Sequence, residues 1–281
     1  KCTNLRKINI PTGITGTMPG NVFEYCSSLD SIVIPAGITT INSAQFNGCT
    51  GLKKIILEGT TELEIDNASG LQAKYTAGSG DAAVDYISTL EEVVVNRPMK
   101  SVQPAKNPWR GNTSIKKVTF GGNCTAVFSN MFENCSSLTE INIPETVTSI
   151  AANAFAGTGI ASLDLHGGIA TISSSAFQNC KSLTTVKLNE GTTFIDALAF
   201  NGSPVSSLSL PASLTTIGKQ AFNNCALTGE QTLISLPVRV WSWDGYDYVN
   251  NKPLDDSEYQ KPVVDIEYNV LFGVTETVDG E

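Results

Sequence analysis

The chain has 281 residues, 41% of them hydrophobic, which is enough for a sizeable core in one or two domains. Only 16% are charged, against about 25% in ordinary domains, so the polar surface must come mostly from Ser, Thr, Asn and Gly. A net charge of −9 without any basic cluster argues against a nucleic-acid partner, whose phosphates need Lys and Arg, and against a polybasic membrane contact. No apolar run approaches the ~20 residues of a membrane helix.

The chain opens on Lys1 with Cys2 already in a repeating pattern. That start reads as a segment cut out of something longer, so an export signal or lipid anchor is compatible with it. The pattern is clearest from Cys26, taken as offset zero. Leu29, Ile32, Ile34, Pro35, Ile38, Ile41 and Phe46 then stand at offsets 3, 6, 8, 9, 12, 15 and 20. Further frames begin at Cys2, Cys49, Ile87, Asn112, Cys135, Gly157, Cys180, Gly202 and Cys225. Most are 22 to 25 residues apart, and the 38 from Cys49 to Ile87 mark an insertion of about 15.

A fixed period with constant apolar slots is the mark of a solenoid, here one that fits L-x-x-L-x-L. Offsets 6 and 8 share one side of a strand, and Pro at 9 ends it, because Pro cannot donate to a ladder. Stacking the coils lines up Phe23, Phe46, Phe132, Phe155, Phe177, Phe200 and Phe222, with Trp109 close to the same slot. The expected fold is a right-handed leucine-rich-repeat solenoid of nine to ten coils. It is α/β by class and mostly β and coil. One parallel sheet forms the concave face, and short helical or irregular segments form the convex one. Residues 1–232 make the solenoid, with the insertion near 58–86, and 233–281 make a non-repeat cap or extension.

Offsets 5 and 7 should face outward from the sheet. Most of these residues are polar, but Val33, Ile56 and Val94 form an apolar stripe across three consecutive coils. Contiguous exposed apolar surface marks contact sites. Either a partner or the insertion itself, through Leu71 and Tyr75, covers the stripe. Beyond Cys225 the frame fails, and Trp241, Trp243, Tyr246 and Tyr248 crowd together. Their first expected role is capping the open end; their second is stacking on a glycan or peptide. Asp244, Asp247, Asp255 and Asp256 lie nearby without the spacing of a Ca2+ loop.

Six of the seven cysteines stand at offset zero, and Cys124 stands at offset 12, so all seven are expected to point into the coil as reduced thiols. Cys135 and Cys180 are two coils apart, about 10 Å at the strand spacing, beyond the ~7 Å limit of a disulfide. The Cys/Gly alternation at 135, 157, 180, 202 and 225 reads as a packing adjustment. No C-x-x-C occurs, and His166 is the lone histidine, at a strand end. No metal or other cofactor is therefore expected. Ser114 and Lys117 make a chance S-x-x-K, and the pairs Glu91–Glu92 and Asp255–Asp256 read as solvated faces. No nucleophile–base set is present, so no enzyme is expected.

The consensus C-x-x-L-x-x-I-x-I-P-x-x-V-T-x-I-x-x-x-A-F, together with the stretch 107–123, resembles the BspA-like leucine-rich repeats of bacterial surface proteins over residues 2–232. That resemblance implies a secreted or surface-anchored module, often a lipoprotein, without a shared catalytic site. The expected function is non-catalytic binding or adhesion to an extracellular or host protein by a monomer without a transmembrane segment. A carbohydrate-capture module of a polysaccharide-uptake system, or a structural spacer, stands as the alternative.

Overall fold

The computed structural model describes residues 2–41, 45–65, 71, 89–101 and 107–227, with the strands Arg239–Trp241, Tyr246–Asp247 and Lys252–Pro253. Strands Lys7–Ile8, Ser31–Ile34, Lys54–Glu58, Glu92–Asn96, Lys117–Phe120 and Glu140–Asn142 pair side by side in one parallel sheet. Ser162–Leu165, Thr185–Leu188 and Ser207–Ser209 form a second parallel sheet in the following coils. These nine strands count nine coils among the described residues. Offset 5 always meets offset 5 within each sheet, as in Ser31↔Lys54, Lys54↔Glu92 and Thr185↔Ser207. Side-chain alternation fixes this register, because a one-residue slip would send the inward aliphatic side chains to solvent. Ile32, Ile55, Val93, Val118, Leu163 and Val186 all lie in the core.

A second line of short parallel strands runs along another side of the coils. It includes Ile38–Ile41, Ala126–Val127, Ser149–Ile150, Thr171–Ile172, Phe194–Ile195 and Thr216–Gly218. Each commits one or two aliphatic side chains to the core, Ile150, Ile172, Ile195 and Ile217 among them. The repeat pattern predicts a single sheet with short helical or irregular segments opposite. This second line adds to that picture, and the described residues contain no helix.

The "AF" segment forms the third side. The residues two before and two after the aromatic take positive φ: Asn130 and Asn134, Asn153 and Gly157, Ser175 and Asn179, Leu198 and Gly202, Gln220 and Asn224. These left-handed pairs turn alternate N–H groups along the stack. Phe132, Phe155 and Phe177 thus donate to the carbonyls of Ala154, Ala176 and Ala199 one coil on, at 2.8, 2.9 and 2.8 Å. Backbone groups are thereby paired on all three sides of the coil, as buried amides require. Inside, Trp109, Phe132, Phe155, Phe177, Phe200 and Phe222 stack with centroids 5.3–5.9 Å apart. Phe23 and Phe46 stack separately at 5.8 Å. No helix of the described residues is long and apolar enough to cross a membrane.

Candidate functional site

The outward stripe is continuous in the structure. Val33 lies opposite Ile56, Ile56 opposite Val94, and Val94 opposite Thr119. Val33 is 41% exposed, while Ile56 and Val94 are half-buried. The flanking outward row is ionic: Lys54 meets Glu92 at 2.9 Å and Lys117 meets Glu140 at 3.3 Å. Lys116–Glu91 adds a third pair at 3.3 Å. Exposed pairs of this kind contribute roughly 0–1 kcal/mol each, so their main effect is to neutralise the row. On the other flank, Asn96 donates from Nδ2 to Glu58 Oε2 at 2.7 Å.

The insertion leaves on the side of the second strand line. Glu64–Ile65 still pairs with Ile38–Ile41, and Leu63 bridges Met99. Leu71 is buried, whereas Tyr75 and most of residues 58–86 lie outside the described residues. Sequence reasoning missed the group that holds this stem. Arg97 is fully buried and bonds to Thr61 O through Nε at 3.0 Å and Nη2 at 2.8 Å, and to Glu58 O through Nη1 at 3.0 Å. Burial lowers its basicity. Gly59, at φ +145°, packs beside it: a Cβ there would lie 3.0 Å from Ala36 Cα and 3.2 Å from Arg97 Cζ.

Trp241 lies in Arg239–Trp241, which pairs in parallel with Thr216–Gly218 and adds a rung to the second line beyond the last repeat. Tyr246 lies in Tyr246–Asp247, antiparallel to Lys252–Pro253. Trp243, Tyr248, Asp244, Asp255 and Asp256 lie outside the described residues. His166 is half-buried, and its Nδ1 accepts the Gly168 N–H at 3.1 Å. Lys117 is committed to Glu140, not to Ser114.

A profile of the BspA type leucine-rich repeat region matches six copies, over residues 1–69 and 107–228. The chain belongs to the BspA-type leucine-rich repeat family. The gap in the match falls on the insertion and the coil that follows it. A leucine rich cell surface protein from Faecalibacterium prausnitzii A2-165 is similar at 22% identity and a TM-score of 0.45, covering 79% of this chain and 50% of that one. The T. pallidum leucine rich repeat protein shares 18% identity at a TM-score of 0.38, covering 67% and 70%. A Bacteroides ovatus ATCC 8483 leucine-rich repeat protein shares 18% at 0.34, covering 89% and 78%. The chain spans half the length of the first of these. No curated protein matches it.

In this BspA-type array the slot three residues after each aromatic carries a hydrogen-bond donor. Cys49, Cys135, Cys180 and Cys225 donate from Sγ to the carbonyls of Phe23, Trp109, Phe155 and Phe200 one coil back, at 3.0, 3.1, 3.2 and 3.5 Å. Ser203 does the same to Phe177 O at 2.7 Å. The Cys/Gly alternation is therefore corrected. Gly157 and Gly202 take the left-handed position before the slot, and Thr158 and Ser203 fill the slot itself. All seven cysteines are free. One expectation fails: Cys2 is exposed and Cys225 only half-buried.

Burial pushes the thiols of Cys49 and Cys135 up to about 12. Their folded values lie above the unfolded value, so the unfolded chain loses these protons first. The stability they contribute is complete below pH ~9 and is lost as pH rises toward 12. At pH 10 the loss is about 1.4 kcal/mol for each of the two. Under reductant, urea midpoints should therefore fall more between pH 8 and 10 for wild type than for C49S/C135S, whose hydroxyls keep the donor and do not ionise. Equal falls would show that these thiols do not govern alkaline sensitivity.

Proposed function

We propose that the chain is a non-catalytic binding module of a bacterial surface protein that contacts an extracellular or host protein through the strand face bearing Val33, Ile56 and Val94. The observation that supports this reading is the registered stripe, which presents apolar side chains to solvent where later coils present Asn142, Asp164, Lys187 and Ser209. Burying such a stripe stabilises a complex by roughly 25 cal/mol per Å² of apolar area. The same proposal places the protein outside the cell, held as a lipoprotein and monomeric. It divides the chain into a 1–232 solenoid and a 233–281 cap whose first rung is Arg239–Trp241.

The test is binding of the purified chain to immobilised extracellular-matrix proteins. V33T/I56T keeps β-branched residues in both strands and should weaken binding at least tenfold with an unchanged melting temperature. Matrix binding that ignores both substitutions, or no matrix binding at all, overturns the reading.

A further inference from the structure

We propose that the element received by this stripe is an amphipathic α-helix whose polar flank is acidic, laid along the stacking axis. The inference rests on the stripe being a protein-binding face and adds the chemistry of what binds. The first argument is spacing. Neighbouring rungs are ~4.8 Å apart, so Val33, Ile56 and Val94 place their side chains over a span of about 10 Å. Two helical turns advance ~10.8 Å. Two steps of an extended strand, counting alternate residues, advance ~13 Å. A helix presenting residues i, i+3 or i+4, and i+7 stays within about 1 Å of the rungs, whereas a strand drifts by about 3 Å, well over half a rung. Strand addition is also closed at this place, because Ile56 belongs to a strand paired on both sides.

Charge supplies the second argument. Among the described residues Lys54, Lys116 and Lys117 are neutralised by Glu92, Glu91 and Glu140. Arg6, Lys7 and Lys53 are exposed beside the first rungs and have no ion pair among the described residues. Asp30 is the exposed acid between them in the coil sequence. Three cations against one acid leave this edge at +2 on a chain of net −9. The opposite flank carries Glu58, which disfavours acid there. The field across the stripe is thus lopsided, and a helix docks with its acidic side over Arg6, Lys7 and Lys53.

The probes are three fluorescein-labelled 18-residue peptides: Leu at helical spacing with Glu on the polar side, the same with Lys for Glu, and the Glu composition with Leu alternating. Fluorescence anisotropy should show the first binding at least tenfold tighter than either control. K7E/K53E should weaken it at least tenfold and flatten its salt dependence, and V33T/I56T should abolish it. Equal binding of the Lys peptide, tighter binding of the alternating peptide, or indifference to K7E/K53E overturns the inference. If no peptide binds while matrix capture still depends on Val33 and Ile56, the helix inference falls and the binding face stands. If matrix capture also ignores those residues, both fall.

Discussion

Phe177→Ala is expected to cost about 4 kcal/mol of unfolding free energy, the middle of the range for a fully buried phenylalanine. Its ring lies between Phe155 and Phe200, with centroids 5.6 Å away on each side and interplanar angles of 11° and 7°. Truncation opens a cavity that neighbouring coils cannot fill, because Ala154, Ala176 and Ala199 are already fully buried and paired through their carbonyls. Repeat arrays are stabilised coil by coil and interface by interface. The loss therefore weakens coupling between the coils on either side, and the urea transition should broaden as well as shift. Phe23→Ala is the internal control: among the described residues its ring stacks on Phe46 alone, so it should cost about 3 kcal/mol, the low end of the same range. Equal losses for the two variants would show that the ring stack does not transmit stability along the rod.

The rings were legible before any coordinates, and the reason is geometric. A slot that meets its own copy in the next coil is written once per coil, so Phe132, Phe155 and Phe177 repeat in phase. The same holds for the inward strand positions, and for Val33, Ile56 and Val94, which face outward by alternation alone. The second strand line was harder to see, because each rung commits only one or two aliphatic side chains, such as Ile150 or Ile172, and shows no run of alternation. The donor slot is hidden because its in-phase partners share backbone angles and not letters. Gly157 and Gly202 match Asn134 and Asn179 in φ, not Cys135 and Cys180. A reader looking for Asn or Gly two residues after each aromatic would have found the turn. Leu198 and Gln220, also at positive φ, would still have escaped, since such residues seldom take that region.

Arg97 left almost no trace in the sequence, and its removal is the second large effect. The guanidinium is buried and, among the described residues, has no carboxylate in ion-pair range, so backbone carbonyls and one hydroxyl compensate it. Besides Thr61 O and Glu58 O, it donates to Thr61 Oγ1 at 3.1 Å and reaches Pro35 O and Ala36 O at 3.5 Å. One side chain thus ties its own coil to the two before it, at the place where the insertion begins. Arg97→Met relieves the cost of desolvating a cation but leaves the Glu58 and Thr61 carbonyls without these donors, each worth about 1–3 kcal/mol when buried. With two strongly held carbonyls against one relieved charge, the net expectation is a loss of about 3 kcal/mol. Arg97→Lys keeps a charge but replaces the planar fork with a point donor, and about 2 kcal/mol should go. The damage should be local: amide hydrogen exchange ought to accelerate at 58–65 while Phe155 and Phe177 stay protected. Unchanged exchange at 58–65 in Arg97→Met would mean that the insertion stem is held by its strand pairing to Ile38–Ile41 and not by the buried guanidinium.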